Sequence, residues 1–80
     1  MITTNENGVV IYVVYDNPSD YPGKFVAKRD IIKLGKVYRD PDWKMVEKDY
    51  SVIKKAMQQL GLFRLIRHMG DDPVIKETWI

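Results

Sequence analysis

Seven consecutive positions, Val9, Val10, Ile11, Tyr12, Val13, Val14 and Tyr15, are apolar or aromatic, and the run stops at Asp16-Asn17-Pro18. β-Branched and aromatic side chains with no polar alternation predict a central strand over residues 9–15, covered on at least one face. A helix is disfavoured, because Val and Ile lose rotamer freedom against the preceding helical turn. Residues 16–23 follow with Asp16, Pro18, Asp20, Tyr21, Pro22 and Gly23, a turn-forming set too long for a tight hairpin. Residues 24–32 predict a second strand with Phe25, Val26, Ala27, Ile31 and Ile32 as its apolar members. Lys28-Arg29-Asp30 put charge on both of its faces, which predicts a strand that reaches an edge or protrudes from the sheet.

Residues 33–42 predict a polar connection, with a short strand at Lys36-Val37-Tyr38. Asp40-Pro41-Asp42-Trp43 reads as a turn feeding a helix, with Asp42 or Asp40 as its N-cap. Val46, Tyr50, Ile53, Met57 and Leu60 recur at helical spacing and draw one apolar stripe. Lys44, Lys48, Ser51 and Lys55 lie close to the opposite side, and Gly61 stands where a helix ends. Residues 62–66 predict an extended segment, with a helix running through Gly61 as the alternative. Residues 74–80 predict a last strand with Ile75 and Trp79 on one face and Val74, Thr78 and Ile80 on the other. The expected architecture is α+β: a small antiparallel or mixed sheet in the order β-β-α-β-β, with one main amphipathic helix on one face. Residues 1–8 read as a flexible polar tail and residues 9–80 as a single domain.

Composition narrows the class. Eighty residues with 45% hydrophobic content support one core. The chain has no cysteine, which removes disulfides and thiolate ligands and suits a reducing compartment. The longest apolar run is far short of a membrane span, and the first residues lack a signal-like hydrophobic core, so the expectation is a cytoplasmic protein without a membrane role. Net charge is +2, but it is unevenly spread. Glu6, Asp16 and Asp20 stand alone in the first 23 residues, the middle of the chain is basic, and Asp71, Asp72 and Glu77 return near the end.

Candidate chemistry is sparse. Asp16, Asp20 and Tyr21 suggest a cation site or a contact surface, yet the spacing of a calcium loop is absent. The plain reading has Asp16 capping a turn and Tyr21 folded onto the sheet. Asp71-Asp72 before Pro73 reads as a solvated turn, since adjacent carboxylates rarely hold the separation that acid–base catalysis needs. His68 is the single histidine and has no paired-ligand spacing. No nucleophile elbow, P-loop or dinucleotide fingerprint occurs, so no catalytic, cofactor or metal residue is assigned. Lys28, Arg29, Lys44, Lys48, Lys55, Arg64 and Arg67, interleaved with Tyr38 and Trp43, are the candidate nucleic-acid contacts. Trp43, Tyr50, Phe63 and Trp79 read as core aromatics, and an exposed Trp79 on an edge strand would instead mark a dimer contact.

The stretch from Tyr12 to Arg29, YVVYDNPSDYPGKFVAKR, together with Gly61-Leu-Phe-Arg-Leu65 and DDPVIKETW from Asp71 to Trp79, resembles small proteins of bacteria and their phages or prophages. The resemblance covers about half the chain, leaves out residues 33–60, implies a bacterial cytoplasmic setting and carries no activity with it. The expected function is therefore a non-enzymatic interaction or accessory protein, a homodimer among its forms. Its expected contact surfaces are Asp16, Pro18, Asp20, Tyr21, Pro22, Asp71, Asp72 and Trp79. The alternative is a nucleic-acid-binding module using the basic 24–67 segment, and the minor alternative is a metal-dependent or hydrolytic enzyme around His68.

Overall fold

The computed structural model describes residues 4–5, 8–65 and 75–80, and it is an α+β fold built on an antiparallel sheet. The long apolar run forms β2 (Gly8–Asp16), at the centre of the sheet. β1 (Thr4–Asn5) precedes it and pairs with its start, so part of the expected N-terminal tail is hydrogen-bonded to the sheet. β3 (Phe25–Lys33) follows along the whole length of β2, from Val9 opposite Ile32 to Asp16 opposite Phe25. The remaining elements are β4 (Lys36–Glu47), α1 (Tyr50–Gln59), β5 (Arg64–Leu65) and β6 (Ile75–Trp79). Across the sheet the order is β4-β3-β2-β6-β5.

Two expectations fail in the middle of the chain. Residues 33–42 are not a polar connection, and Asp40-Pro41-Asp42-Trp43 does not feed a helix. A two-residue turn at Leu34-Gly35, both with positive φ (52° and 76°), folds the chain back into β4, a strand of 12 residues. The order is thus three long strands before the helix rather than the two of β-β-α-β-β. β3 is also an internal strand, because β4 covers the side on which an edge was expected. Its mid-strand charges are tolerated there because β4 supplies opposite charges. Asp30 lies across from Arg39, and Arg29 is bonded to Asp40.

The helix begins eight residues after Asp42. Asp49 is its N-cap, accepting the Ser51 amide at 2.9 Å and the Ser51 hydroxyl at 2.8 Å. Val46 consequently belongs to β4. Lys44 and Lys48 precede the helix, so the expected lysine stripe along one helix is not formed. The helix ends as its sequence predicts. Gly61 takes φ +76°, its amide bonds to the Gln58 carbonyl at 3.0 Å, and the Leu62 amide reaches the Met57 carbonyl at 3.2 Å. This is a Schellman closure, with Leu62 and Met57 both buried beside it.

Alternation sorts the side chains onto two faces. Tyr12 and Val14 of β2, Ala27 of β3 and Trp79 of β6 point toward α1 and form the core with Ile53, Met57 and Leu62. Ten helical residues are too few to hold a helix in water. Complete burial of Ile53 and Met57 stabilises α1 instead, by about 1.5–3 kcal/mol per side chain. Trp43 and Tyr50 pack against this core as expected. Trp79 lies inside it at 3% exposure, between β2 and β5, while Phe63, expected inside, is 63% exposed.

Among the described residues the opposite face carries no helix. Register places Val9, Ile32 and Val37 in one row, Ile11, Asp30 and Arg39 in the next, and Val13, Lys28 and Lys44 in the third. Leu65, opposite Thr78, continues the third row, and Phe63, which exchanges both backbone bonds with Ile80 at 2.9 Å, continues the second.

Candidate functional site

The helix-free face gathers three cations into one place. In an uninterrupted strand Arg39 and Lys44, five positions apart, would face opposite sides. The β3–β4 register shifts between Lys28 and Asp30, so that Lys28 faces Lys44 while Asp30 faces Arg39. The residues in between, Asp40 to Trp43, bulge out of the ladder, and Pro41 fits there because it has no amide hydrogen to pair. Arg39 and Lys44 thus share a face with Lys28. Between them opens a cleft of about 180 Å³ lined by Lys28, Arg39, Asp40, Pro41, Trp43 and Lys44.

Each wall is held by a specific bond. Asp40 anchors the bulge: one carboxylate oxygen accepts the Asp42 amide at 2.9 Å, and the other takes the Arg29 guanidinium, with Nε at 2.9 Å. The Arg29 bond, and then the amide, hold the Asp40 carboxyl below the usual carboxylate range. Trp43 meets Tyr12 edge-on, with ring centroids 5.0 Å apart. Arg39 donates to the buried Asp30 carboxylate and, through a terminal nitrogen, to the Tyr15 hydroxyl at 2.8 Å. The Lys28 ammonium lies 5.4 Å from the centre of the Tyr15 ring. The Lys44 ammonium lies 4.8 Å from that of Tyr21 and donates to its hydroxyl.

Tyr21 reaches Lys44 because the 17–24 loop folds over this face. Asn17 holds φ +53°, donates its amide to the Lys24 carbonyl at 2.9 Å and accepts the Gly23 amide on its side chain at 2.7 Å. Among the loop residues expected to form a contact surface, Asp16, Asp20 and Pro22 are exposed, Tyr21 is half-buried and Pro18 is buried. Asp20 lies 3.9 Å from Lys28. Asp71, Asp72, His68 and Arg67 lie outside the described residues.

The candidate nucleic-acid contacts divide. Lys28 and Lys44 meet at the cleft. Arg29 points to the helix side and is bonded to Asp40. Lys55 is exposed on α1, Lys48 precedes that helix, and Arg64 lies 4.0 Å from Glu77. Arg39 belongs to the basic 24–67 segment, but the sequence does not single it out as a contact, because the bulge that turns it toward the lysines leaves no periodic trace. The sequence reading also missed a second polar cluster beneath α1. Glu77, 5% exposed, accepts the Tyr50 hydroxyl and the Trp79 indole N–H. Burial first, and the bond to Glu77 second, push the Tyr50 phenol above its ordinary value.

Among the described residues no group of three or more His, Cys, Asp and Glu is placed to hold a metal ion. No helix among them is long and apolar enough to cross a membrane. Compared with family models, with curated proteins and with solved structures, the chain matches none.

Proposed function

We propose that this protein is a non-catalytic interaction module that associates with a second copy of itself through the apolar end of its helix-free sheet face. The carrying observation is the cluster of Val9, Ile11, Ile32, Val37, Phe63 and Ile80 on that face, with Val37 at 64% and Phe63 at 63% exposure. Apolar side chains collected at one end of an open sheet favour a partner that removes them from water. A second copy fits by charge. A two-fold axis running across the strands at this end lays apolar rows on apolar rows. The same operation carries Lys28 and Lys44 of the two copies to opposite far ends, so these ammonium groups do not meet, and Arg39, which borders the apolar rows, is neutralised by Asp30. Non-catalytic action agrees with the state of the carboxylates near these surfaces. Asp30 is bound to Arg39, Asp40 to Arg29, and Glu77 to Tyr50 and Trp79.

The footprint is modest. Strands spaced about 4.8 Å apart and rising about 3.3 Å per residue make such an apolar end smaller than the roughly 800 Å² per partner of a standard interface. The association is accordingly weak and concentration-dependent. Sedimentation equilibrium from low micromolar to millimolar protein tests it. A mass rising toward the dimer, reversed by Phe63→Asp and Val37→Glu at unchanged thermal stability, is the expected result. A monomer mass throughout the range overturns the proposal.

A further inference from the structure

We infer that the cleft between β3 and the bulge of β4 is a binding site for a phosphate group, presented by a nucleotide or by a single-stranded nucleic acid. At about 180 Å³ the cleft is smaller than the roughly 300–1,000 Å³ of pockets that enclose whole small molecules. It suits a charged group whose carrier extends outward.

Charge balance selects an anion. Four cations, Lys28, Arg29, Arg39 and Lys44, surround the bulge against three carboxylates: Asp30 is committed to Arg39, Asp40 to Arg29, and Asp42 is exposed and does not line the cleft. Among the described residues Lys28 has only Asp20, 3.9 Å away on the loop and with its side chain 59% exposed. An exposed pair of this kind is worth about 0–1 kcal/mol, so an incoming anion displaces it readily. Lys44 has no carboxylate within the 4.0 Å of an ion pair among the described residues, and its partner is the neutral Tyr21 hydroxyl. Two ammonium groups thus face a cleft whose own carboxylates are already matched.

The donor types favour phosphate over carboxylate. A carboxylate ligand is held best by a guanidinium fork, and the fork of Arg39 already faces Asp30 with Nε and a terminal nitrogen. What remains in the lining is a pair of point-charge ammoniums, Lys28 beside the Tyr15 ring and Lys44 beside the Tyr21 ring. Such donors suit a tetrahedral anion with three or four acceptor oxygens. Pro41 and Trp43 supply an apolar wall for the attached sugar or base.

The test is an amide-resolved NMR titration of the full chain with three probes: inorganic phosphate, adenosine monophosphate and a thymidine dodecamer, each at 20 and 200 mM salt. Shifts clustered at residues 21, 28 and 39–44 are expected. Lys28→Gln with Lys44→Gln should weaken binding tenfold or more, while Lys54→Gln with Lys55→Gln on α1 should leave it unchanged. Arg39 is kept, because its loss would leave the buried Asp30 without a partner. Lys44→Gln alone, at an exposed position, serves if the double variant is unstable. Dodecamer binding tighter than that of the mononucleotide, falling about 25-fold between the two salts as two neutralised phosphates require, identifies a strand as the carrier. Equal affinity for the two identifies a single phosphate. Either result upholds the site. Absence of clustered shifts with all three probes up to about 10 mM, or equal weakening by the α1 lysine variant, overturns it.

Discussion

The Tyr50 hydroxyl lies 2.6 Å from each oxygen of the Glu77 carboxylate, joining the first residue of α1 to the strand beneath it. Glu77 also accepts the Trp79 indole N–H, so a charged group at 5% exposure has two neutral donors in the core. Removing a buried acceptor costs more than the bonds it made, because its donors are left unpaired at about 1–3 kcal/mol each. Glu77→Ala should therefore lower unfolding free energy by about 2–4 kcal/mol in urea melts. Tyr50→Phe, which removes one donor and keeps the ring against Phe25, should cost about half as much.

The same bond gives a pH signature. Tyr50 titrates above its ordinary value, so the stability it contributes is complete below the unfolded tyrosine range and is lost as pH rises through its raised value. Ultraviolet titration of the phenols should show a late-ionising step from Tyr50, and Tyr50→Phe should remove it. At the acid end the direction reverses. Asp40, through Arg29, and Asp49, through the Ser51 amide, titrate low. Their contribution is present above the unfolded aspartate range and is lost as pH falls through the lowered values. Asp49→Asn should flatten the acid limb of the stability curve, as followed by circular dichroism.

Asp30 and Arg39 make an ion pair with one side buried: the aspartate side chain is 6% exposed and the arginine 43%. Arg39→Ala strands the carboxylate and should destabilise by about 2–3 kcal/mol. Replacing both, Asp30→Leu with Arg39→Met, should recover most of that loss. Chemical denaturation of the four members of the cycle decides it, and a double variant no better than Arg39→Ala would show that the pair does more than neutralise charge.

Leu34 occupies the first central position of the β3–β4 turn at φ +52° and 92% exposure. A left-handed backbone costs a residue with a Cβ roughly 1–2 kcal/mol, and Asn before Gly is the preferred pair for this turn. Leu34→Asn should raise the melting temperature by several degrees in calorimetry.

Gly8 marks the opposite case. Its φ is +128°, and a Cβ there would run into the Ile32 carbonyl oxygen. Gly8→Ala should cost about 2 kcal/mol through backbone strain and loosen the pairing of β1, visible as faster hydrogen exchange at the start of β2.

Legibility followed the strength of each local signal. Val9 to Tyr15 read as a central strand by their β-branched and aromatic run, and Gly61 stood where a helix closes, with a helix running through it as the alternative that the positive φ of Gly61 removes. Ile53 and Met57 carried enough helical spacing to place α1 on the sheet. β4 was hidden because Asp40, Pro41 and Asp42 carry turn chemistry, and here that chemistry serves a bulge inside a strand. Val46 then matched the helical stripe by coincidence of spacing, which drew the predicted helix start toward Asp42. Leu34-Gly35 is a poor turn by composition, so the hairpin left no mark either. The cleft inherits this blindness. Lys28 and Lys44 were readable as cations, but their meeting with Arg39 depends on a register shift that no residue type announces.

One flank of the sheet bears on what kinds of aggregate this protein can enter. Among the described residues, β4 is the outer strand on one side, and it is interrupted by Pro41 and its bulge, so that side presents no long unbroken ladder for another chain to extend. Side-by-side growth into filaments through β4 has no template of useful length, because each half of that strand ends at the bulge.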